Sequence, residues 1–219
     1  MRPIDTFINK IICGDCINVM KDMPRESVDM IATDPPYMVN YRSRDGRRIQ
    51  NDNNSQWLEP ATQEMYRVLK RDSFCVSFYG WNRIEYFMQA WKRAGFRPVG
   101  HFAVVKGYAS NQGFTGYYHE MAYLLAKGEP QQPAHPPKDV LEWRYIGNKL
   151  HPTQKPIEVL LPLITAYSKQ RDIILDPFAG SGTTAVAADK LGRRYIGIEL
   201  QKEYYTTAQS RLPRERDRL

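Results

Sequence analysis

The segment Asp34-Pro35-Pro36-Tyr37 places an acid and an aromatic ring on either side of two prolines, directly after the apolar run 28–32. Proline has no backbone N–H and a fixed φ, so two in a row end strand pairing and hold the chain in one stiff, extended shape. A strand-ending turn would explain the prolines alone. It does not explain the acid and the aromatic side chain, which make this segment a candidate reaction site.

A second candidate site is the glycine-rich segment D-I-I-L-D-P-F-A-G-S-G-T-T, residues 172–184. Gly180 and Gly182 permit a tight turn from a strand into a helix and a close approach of the backbone to a ligand. The segment lacks the full G-x-G-x-x-G spacing and a Gly-Lys-Thr sequence, so a phosphate cradle is not required. The following strand ends at Glu199, which is placed to hold a ribose diol. Together these features favour a nucleoside ligand without phosphates.

The alternation of short apolar strands with helical patterns predicts an α/β fold, with a doubly wound and mostly parallel seven-stranded sheet. In such sheets ligands bind beyond the carboxyl ends of the strands, where both candidate segments lie. The strands are expected at about 10–13, 28–33, 74–79, 100–105, 120–126, 172–176 and 194–199. Helices are expected over 57–70, over 156–169, over about 201–212, and from a capping pair at Asn82 and Glu85 to about Gly95.

Composition limits the class of protein. A chain of 219 residues that is 42% hydrophobic suits one domain, large enough to bury roughly 70% of its unfolded surface without disulfides. The 31 Lys and Arg residues exceed the 24 Asp and Glu residues, and the resulting net charge of +7 favours a polyanionic partner such as nucleic acid. No apolar run approaches about 18 residues and the N-terminus lacks a signal-peptide core, so we expect a soluble, cytoplasmic protein.

The three cysteines are Cys13, Cys16 and Cys75. The spacing C-G-D-C leaves a redox pair or half of a zinc site as alternatives, but the four histidines are scattered and do not complete a metal-ligand spacing. We therefore expect reduced, structural thiols and no metal, as in a cytoplasmic protein.

Three motifs in order, D-P-P-Y at 34–37, H-P-T-Q-K-P at 151–156 and F-A-G-S-G-T-T at 178–184, give the chain a family resemblance. It resembles the amino-methylating DNA methyltransferases that use S-adenosylmethionine, over nearly its whole length. The catalytic motif precedes the glycine-rich motif, which is the circularly permuted arrangement of that family's β group. The resemblance implies a Rossmann-like methyltransferase fold and a single catalytic domain over 1–219. It also implies that the strand before Gly14-Asp15 lies beside the strand ending at Glu199.

The resemblance implies catalytic roles for Asp34, Pro35, Pro36 and Tyr37. The exocyclic amino group of a base is a poor nucleophile because its lone pair is delocalised into the ring. Asp34 and a backbone carbonyl near Pro35 are expected to accept hydrogen bonds from this group and release the lone pair, while the prolines keep the two acceptors at a fixed separation. Tyr37 is expected to stack on the base, which must leave the duplex to reach the site.

The resemblance also implies a set of cofactor-binding residues. Asp15 is expected at the adenine edge of the cofactor and Glu199 at its ribose. For each residue taken alone there is an ordinary alternative: Asp15 as a helix cap, and Lys155 as a solvated charge in the first turn of a helix. The residues expected near the methionine moiety are Asp34, His151, Thr153, Lys155, Asp176, Phe178, Gly180, Gly182 and Thr183.

A basic segment, residues 41–48, directly follows the proposed reaction site. It belongs to a polar stretch, about 40–56, that we expect to form a mobile surface loop. The charges of such a loop suit DNA phosphates, although a solvated loop is the alternative. The expected DNA contacts are Tyr41, Arg42, Arg44, Arg47 and Arg48.

The proline-rich segment of about 127–150 is expected to be a surface loop and a reduced target-recognition segment. Larger members of the family carry a long recognition region in this place. Recognition is therefore expected to be short, relaxed or shared with a second subunit, as in a homodimer.

The resemblance implies methylation of the N6 amino group of adenine in duplex DNA, as part of a prokaryotic or phage-type, restriction-modification-like, nucleoid-associated activity. N4-cytosine methylation stays open, although such enzymes more often carry Ser where this chain has Asp34. An RNA substrate and a catalytically inactive DNA-binding regulator also stay open. A dinucleotide oxidoreductase would leave D-P-P-Y unexplained. A release-factor glutamine methyltransferase would carry N-P-P-Y after its glycine motif, and both the acid and the motif order oppose it.

Overall fold

A single mixed sheet of eight strands forms the centre of the computed structural model, which describes residues 1–43, 46, 48–109, 114–143 and 154–213. Its strand order is β1-β8-β7-β2-β3-β5-β4-β6. The five strands from β1 to β3 in this order run parallel, and β5 is antiparallel to both of its neighbours. The strands are β1 (Lys10–Cys13), β2 (Val28–Thr33), β3 (Leu69–Tyr79), β4 (Arg97–Lys106), β5 (His119–Lys127), β6 (Val140–Trp143), β7 (Ile173–Asp176) and β8 (Arg194–Glu199).

Helices cover both faces of this sheet, with α1, α2 and α3 on one face and α4, α5 and α6 on the other. No helix in the described part of the chain is both long and apolar enough to cross a membrane. The helices are α1 (Cys16–Asp22), α2 (Leu58–Val68), α3 (Ile84–Ala94), α4 (Ile157–Tyr167), α5 (Thr183–Lys190) and α6 (Lys202–Ser210).

The sequence of β2 shows why it occupies the centre of the sheet. Ile31 packs into the core under α1, α2 and α3, whereas Met30 and Ala32 pack into the core on the opposite face. All three side chains are completely buried. A nearly continuous apolar run is typical of a parallel strand that is covered on both faces. The doubly wound, mostly parallel α/β fold is therefore confirmed.

The N-terminal strand takes the place that the permuted arrangement implies. β1 pairs in parallel with β8, with Cys13 opposite Glu199. Helix α6, which follows β8, packs against β1. The carboxyl ends of β1 and β8 therefore lie side by side, and the start and the end of the described chain meet at one edge of the sheet.

Two details of the predicted elements are wrong. The sheet has an eighth strand, β6, which pairs in parallel with β4 inside the segment expected to be a loop. Helix α3 begins without a side-chain cap, because Asn82 lies inside a 3₁₀ turn, Trp81–Arg83, instead of in the extended conformation that an N-cap residue adopts. The end of α3 is as predicted, since Gly95 stops it in the left-handed conformation with a φ of 105°.

Candidate active site

The candidate site lies where the chain leaves two neighbouring strands in opposite directions. β2 and β7 are adjacent and parallel, but β2 leads to β3 on one side while β7 leads to β8 on the other. Such a switch point opens a crevice at the carboxyl ends of the strands. Asp34 directly follows β2, Asp176 ends β7, and the Thr33 hydroxyl donates a 2.9 Å hydrogen bond to Asp176 Oδ1 across the crevice.

A cavity of about 1200 Å³ fills this crevice. Ligand pockets commonly measure about 300–1000 Å³, so there is room for a nucleoside cofactor and a base together. Most of the residues predicted from the sequence line it, which brings residues far apart in the chain into one site. They are Asp15, Asp34, Pro35, Pro36, Tyr37, Tyr41, Arg42, Lys155, Asp176, Phe178, Gly180, Thr183 and Glu199.

The glycine-rich turn uses its two glycines differently. Gly180 has a φ of 51° and lines the cavity, and its backbone N–H donates to the Glu199 carboxylate at 2.8 Å. Gly182 has a φ of 80° and faces α6, where a Cβ atom would come within 2.9 Å of Ala208 Cβ. Gly182 does not line the cavity, so the structure gives it a part in packing the turn onto α6.

Arg211, at the end of α6, holds the same turn from behind. Its guanidinium donates to the backbone oxygen of Ser181 at 2.6 Å, to the Ser181 hydroxyl at 3.1 Å and to the Thr183 hydroxyl at 3.2 Å. This role was not predicted, because Arg211 lies 30 residues from Ser181 in a basic C-terminal stretch.

Glu199 is equipped to hold hydroxyl groups. Its Oε2 atom accepts from the Gly180 N–H and its Oε1 atom accepts from the Gln201 N–H at 2.7 Å. Each carboxylate oxygen has two lone pairs, so each retains one for a further donor such as a ribose hydroxyl. Burial raises the pKa of Glu199 to about 7, and burial likewise raises the pKa of Asp176 to about 6.

The cavity wall next to Glu199 carries aromatic rings and a capped helix. Phe178 meets Trp57 edge to face, with ring centroids 5.1 Å apart. Asp15 caps α1 by accepting from the Asn18 N–H at 2.9 Å, and it also lines the cavity. Rings and polar edges of this kind suit the adenine of a nucleoside cofactor, so the residues present fit S-adenosylmethionine.

Both oxygens of Asp34 already hold donors. Its Oδ1 atom accepts from the Tyr37 hydroxyl at 2.7 Å, and its Oδ2 atom accepts from Lys155 Nζ at 2.5 Å. Burial raises the pKa of Asp34, and the ammonium of Lys155 opposes this rise. Lys155 is 5% exposed. The alternative of a solvated charge at a helix start is therefore wrong for this residue.

Two charged residues of this site were missed in the sequence. Glu120 accepts from Lys155 at 2.8 Å and forms a further short ion pair with Lys106. Trp143 covers the two lysines, with their Nζ atoms 4.6 and 5.6 Å from the centre of the ring. These three residues come from the ends of β4, β5 and β6, and only the topology of the sheet brings them beside Asp34.

The two ends of the loop that follows Tyr37 are joined by a hydrogen bond between Tyr41 and Asp52. Asp52 is buried and accepts from the backbone N–H of Tyr41 at 2.6 Å. Arg42 and Arg48 face each other in an isolated antiparallel bridge and are exposed. The other predicted residues Arg44, Arg47, His151 and Thr153 lie outside the described residues.

Burial disfavours a reactive thiolate at two of the three cysteines. None of the three forms a disulfide within the described ranges, and Cys16 and Cys75 are buried. Burial raises the pKa of Cys16 to about 12, which opposes a reactive thiolate.

The fold and the site together define the class of protein: an α/β protein with a large cavity at the carboxyl ends of β2 and β7, lined by acidic side chains, two prolines and a glycine turn. A family model described as DNA methylase matches residues 28–210. The chain belongs to the DNA methylase family. YubD of Escherichia coli (strain K12), whose name assigns it a methylase activity provisionally, is 54% identical over 205 residues, which cover 94% of this chain and 90% of that protein.

Other relatives and solved structures agree with this family. The DNA adenine methyltransferase YhdJ of Escherichia coli (strain K12) is 32% identical over 244 residues, covering 92% of this chain and 82% of that protein. The structure of M1.HpyAVI in complex with S-adenosylmethionine superposes with a TM-score of 0.72 at 27% identity, covering 92% of this chain and 98% of that one. PvuII DNA methyltransferase, cytosine-N4-specific, shares the fold with a TM-score of 0.75 at 16% identity, covering 94% and 86% of the two chains.

The family membership confirms several predictions from the motifs. The chain is an S-adenosylmethionine-dependent DNA methyltransferase, as its three ordered motifs indicate. The choice between adenine and cytosine and the roles of individual residues are not decided by these comparisons.

Proposed function

We propose that this protein transfers a methyl group from S-adenosylmethionine to the N6 amino group of an adenine that has left the DNA duplex. The observation that carries the proposal is the position of Asp34. It stands at the carboxyl end of β2, across the crevice from Asp176, in a cavity large enough for a cofactor and a base. The adenine activity named for YhdJ supports the same assignment.

The nucleoside half of the cavity is proposed to hold the cofactor. Glu199 accepts the ribose hydroxyls, Asp15 lies at the adenine edge, and the turn of Phe178, Gly180 and Thr183 lies along the methionine moiety. When bound, S-adenosylmethionine supplies an electrophilic methyl group carried on a sulfonium sulfur. The buried walls of the site exclude water and orient the two partners.

The other half of the cavity is proposed to hold the base. Asp34 and a backbone carbonyl near Pro35 accept the two amino N–H groups of adenine, which favours a pyramidal nitrogen with an available lone pair. Pro35 and Pro36 hold these acceptors in place before the base arrives, so little reorganisation is needed during the reaction. The ring of Tyr37 lines the same part of the cavity and is proposed to stack on the base.

N4-cytosine methylation is the second candidate, because the amino group of cytosine presents the same two donors. The acid at Asp34 favours adenine, since enzymes of the cytosine type more often carry Ser at this position. The PvuII enzyme shows that the fold is shared with a cytosine-N4-specific enzyme.

The test is to incubate unmethylated plasmid DNA with the protein and S-adenosylmethionine, digest the DNA to nucleosides and separate the products by mass spectrometry. N6-methyl-2′-deoxyadenosine is expected, and Asp34→Ala should abolish it while leaving cofactor binding in calorimetry largely intact. N4-methyl-2′-deoxycytidine would transfer the activity to the second candidate. Wild-type turnover by Asp34→Ala would contradict the role of the carboxylate.

A further inference from the structure

Four charged side chains of alternating sign form a row beside the base half of the cavity. In order they are Lys106 at the end of β4, Glu120 at the start of β5, Lys155 just before α4, and Asp34 after β2. Lys106 forms a short ion pair with Glu120, Lys155 Nζ lies 2.8 Å from Glu120, and Lys155 Nζ lies 2.5 Å from Asp34. Both lysines are 5% exposed, and the four formal charges sum to zero.

This row bears on the proposed function, on which the inference rests. An amino group is activated best by a carboxylate that is a strong hydrogen-bond acceptor. In the structure an ammonium pairs with Asp34 at 2.5 Å and offsets its charge. Each oxygen of Asp34 keeps a second lone pair, but the ammonium on Oδ2 weakens the carboxylate as an acceptor for the target amino group.

Lys155 can move away from Asp34 only if another partner accepts its ammonium, because a buried ammonium without a partner is strongly unfavourable. Glu120 lies on its other side and already accepts from it. A movement toward Glu120 would free Asp34 and keep the ammonium paired. We propose that Glu120 is a positioning residue for methyl transfer, which takes over Lys155 when the target amino group binds to Asp34.

The charges around Glu120 suit this part. Burial alone would raise its pKa, but Lys155 and Lys106 outweigh burial and lower the pKa to about 2. Glu120 is therefore an anion at any working pH. The groups that face Asp34 are Tyr37, Glu120 and Lys155, with Asp176 on the neighbouring strand.

The experiment compares Glu120→Gln with two double variants, Glu120→Gln with Lys155→Met and Glu120→Gln with Lys106→Met. Glu120→Gln alone leaves a net charge of +1 in the row, with Asp34 as the only carboxylate partner of Lys155, and each double variant returns this charge to zero. The double variant with Lys155→Met lacks the ammonium that offsets Asp34, whereas the double variant with Lys106→Met keeps Lys155 on Asp34. Turnover is measured as tritium transferred to unmethylated plasmid DNA at saturating S-adenosylmethionine, and thermal melting and calorimetry report folding and cofactor binding.

We expect Glu120→Gln to lower kcat/KM for DNA by up to roughly 100-fold. The double variant with Lys155→Met should recover part of this loss, and the double variant with Lys106→Met should not. In Glu120→Gln the acid limb of the pH–rate profile should also move to lower pH, because Lys155 then holds Asp34 ionised more firmly. Because the charge of Glu120 itself raises the pKa of Asp34, this shift identifies Asp34 as the titrating group, and the two double variants decide whether Glu120 positions Lys155.

Equal turnover by the two double variants would overturn the inference, since Glu120 would then act only as a balancing charge. Should Glu120→Gln alone fail to fold, the two neutral double variants still decide between these outcomes. If the wild type methylates DNA, Asp34→Ala does not, and the two double variants have equal turnover, the proposed function stands and only the positioning role of Glu120 is rejected. A wild-type protein that leaves DNA unmodified would overturn the proposed function and this inference with it.

Discussion

The backbone N–H of Gly180 donates a 2.8 Å hydrogen bond to the carboxylate of Glu199, so the glycine turn and the end of β8 form one unit. The carboxylate is partly buried, and burial raises its pKa to about 7. The group proposed to hold the cofactor ribose therefore changes its charge near neutral pH.

We predict that the affinity for S-adenosylmethionine rises with pH up to about 7 and then levels off. The free protein carries a protonated Glu199 below its pKa of about 7, whereas ribose hydroxyls donate best to the ionised form. Binding therefore releases a proton, and below pH 7 the affinity should approach about a tenfold change per pH unit. Calorimetry from pH 5.5 to 8 in buffers of different ionisation enthalpy measures both effects.

The control for this titration is Glu199→Gln. This variant should bind S-adenosylmethionine more weakly, and its affinity should not change with pH above pH 6. Asp176→Asn removes the other raised carboxyl, whose pKa of about 6 would affect only the lower part of the range. An unchanged slope in Glu199→Gln would show that another group is responsible.

A second prediction concerns the close approach of the backbone at Gly180. Gly180→Val should remove S-adenosylmethionine binding, because it adds a branched side chain to a residue that lines the cavity and has a φ of 51°. Gly192→Val is the matched control, since Gly192 also has a positive φ of 69° and a Cβ there would meet nothing within 4 Å. Both variants carry backbone strain of about 1–3 kcal/mol, but only Gly180→Val should lose the cofactor in calorimetry. Unchanged affinity in Gly180→Val would place the cofactor elsewhere.

Arg211 leads to a third prediction, on the support of the glycine turn. Arg211→Ala should weaken cofactor binding and lower the melting temperature, because three hydrogen bonds to Ser181 and Thr183 are lost. Hydrogen bonds from a charged donor contribute about 1.5–3 kcal/mol when they are well formed. Arg2→Ala is the control, as it removes an exposed ion pair with Asp22, which is expected to contribute about 0–1 kcal/mol, and a contact with the ring of Phe7. Equal effects of the two variants on cofactor affinity would deny Arg211 a part in the site.

The sequence predicted those parts of the site that depend on local chemistry. The prolines of D-P-P-Y and the glycines of the turn restrict the backbone wherever they occur, so their effect can be read without the fold. Apolar runs such as that of β2 likewise reveal buried parallel strands. This explains why the doubly wound α/β fold and its central strands were predicted correctly, and why Asp34 and Gly180 line one cavity, as residues of a shared site would.

The parts that were missed depend on long-range pairing. Glu120 and Lys106 are single charged residues at the ends of strands, and nothing in their neighbourhood distinguishes them from surface charges. The antiparallel pairing of β4 and β5 brings the two residues together, and Glu120 then reaches Lys155 beside Asp34. The strand β6 was not predicted because its sequence carries little signal. It has four residues, lies at the edge of the sheet, and Trp143 is its one buried residue.

The last prediction concerns the basic segment 41–48, for which the structure shows Arg42 and Arg48 exposed and facing each other across a bridge beside the cavity. If the four arginines contact phosphates, replacing Arg42, Arg44, Arg47 and Arg48 with Ala should weaken DNA binding by a similar factor for every sequence. Each lost contact should also flatten the plot of log K against log salt by about 0.9, because fewer counterions are released.

Base contacts would give a different result. Affinity would then fall most for the preferred site, by about 1–3 kcal/mol for each lost bidentate contact, while unrelated sequences would be affected less. The measurement is a salt titration of the wild type and the quadruple variant on two unrelated duplexes, with Lys21→Ala and Lys190→Ala as controls on the helices α1 and α5. Equal salt slopes for the wild type and the quadruple variant would mean that the arginines are solvated and that the loop does not bind the DNA backbone.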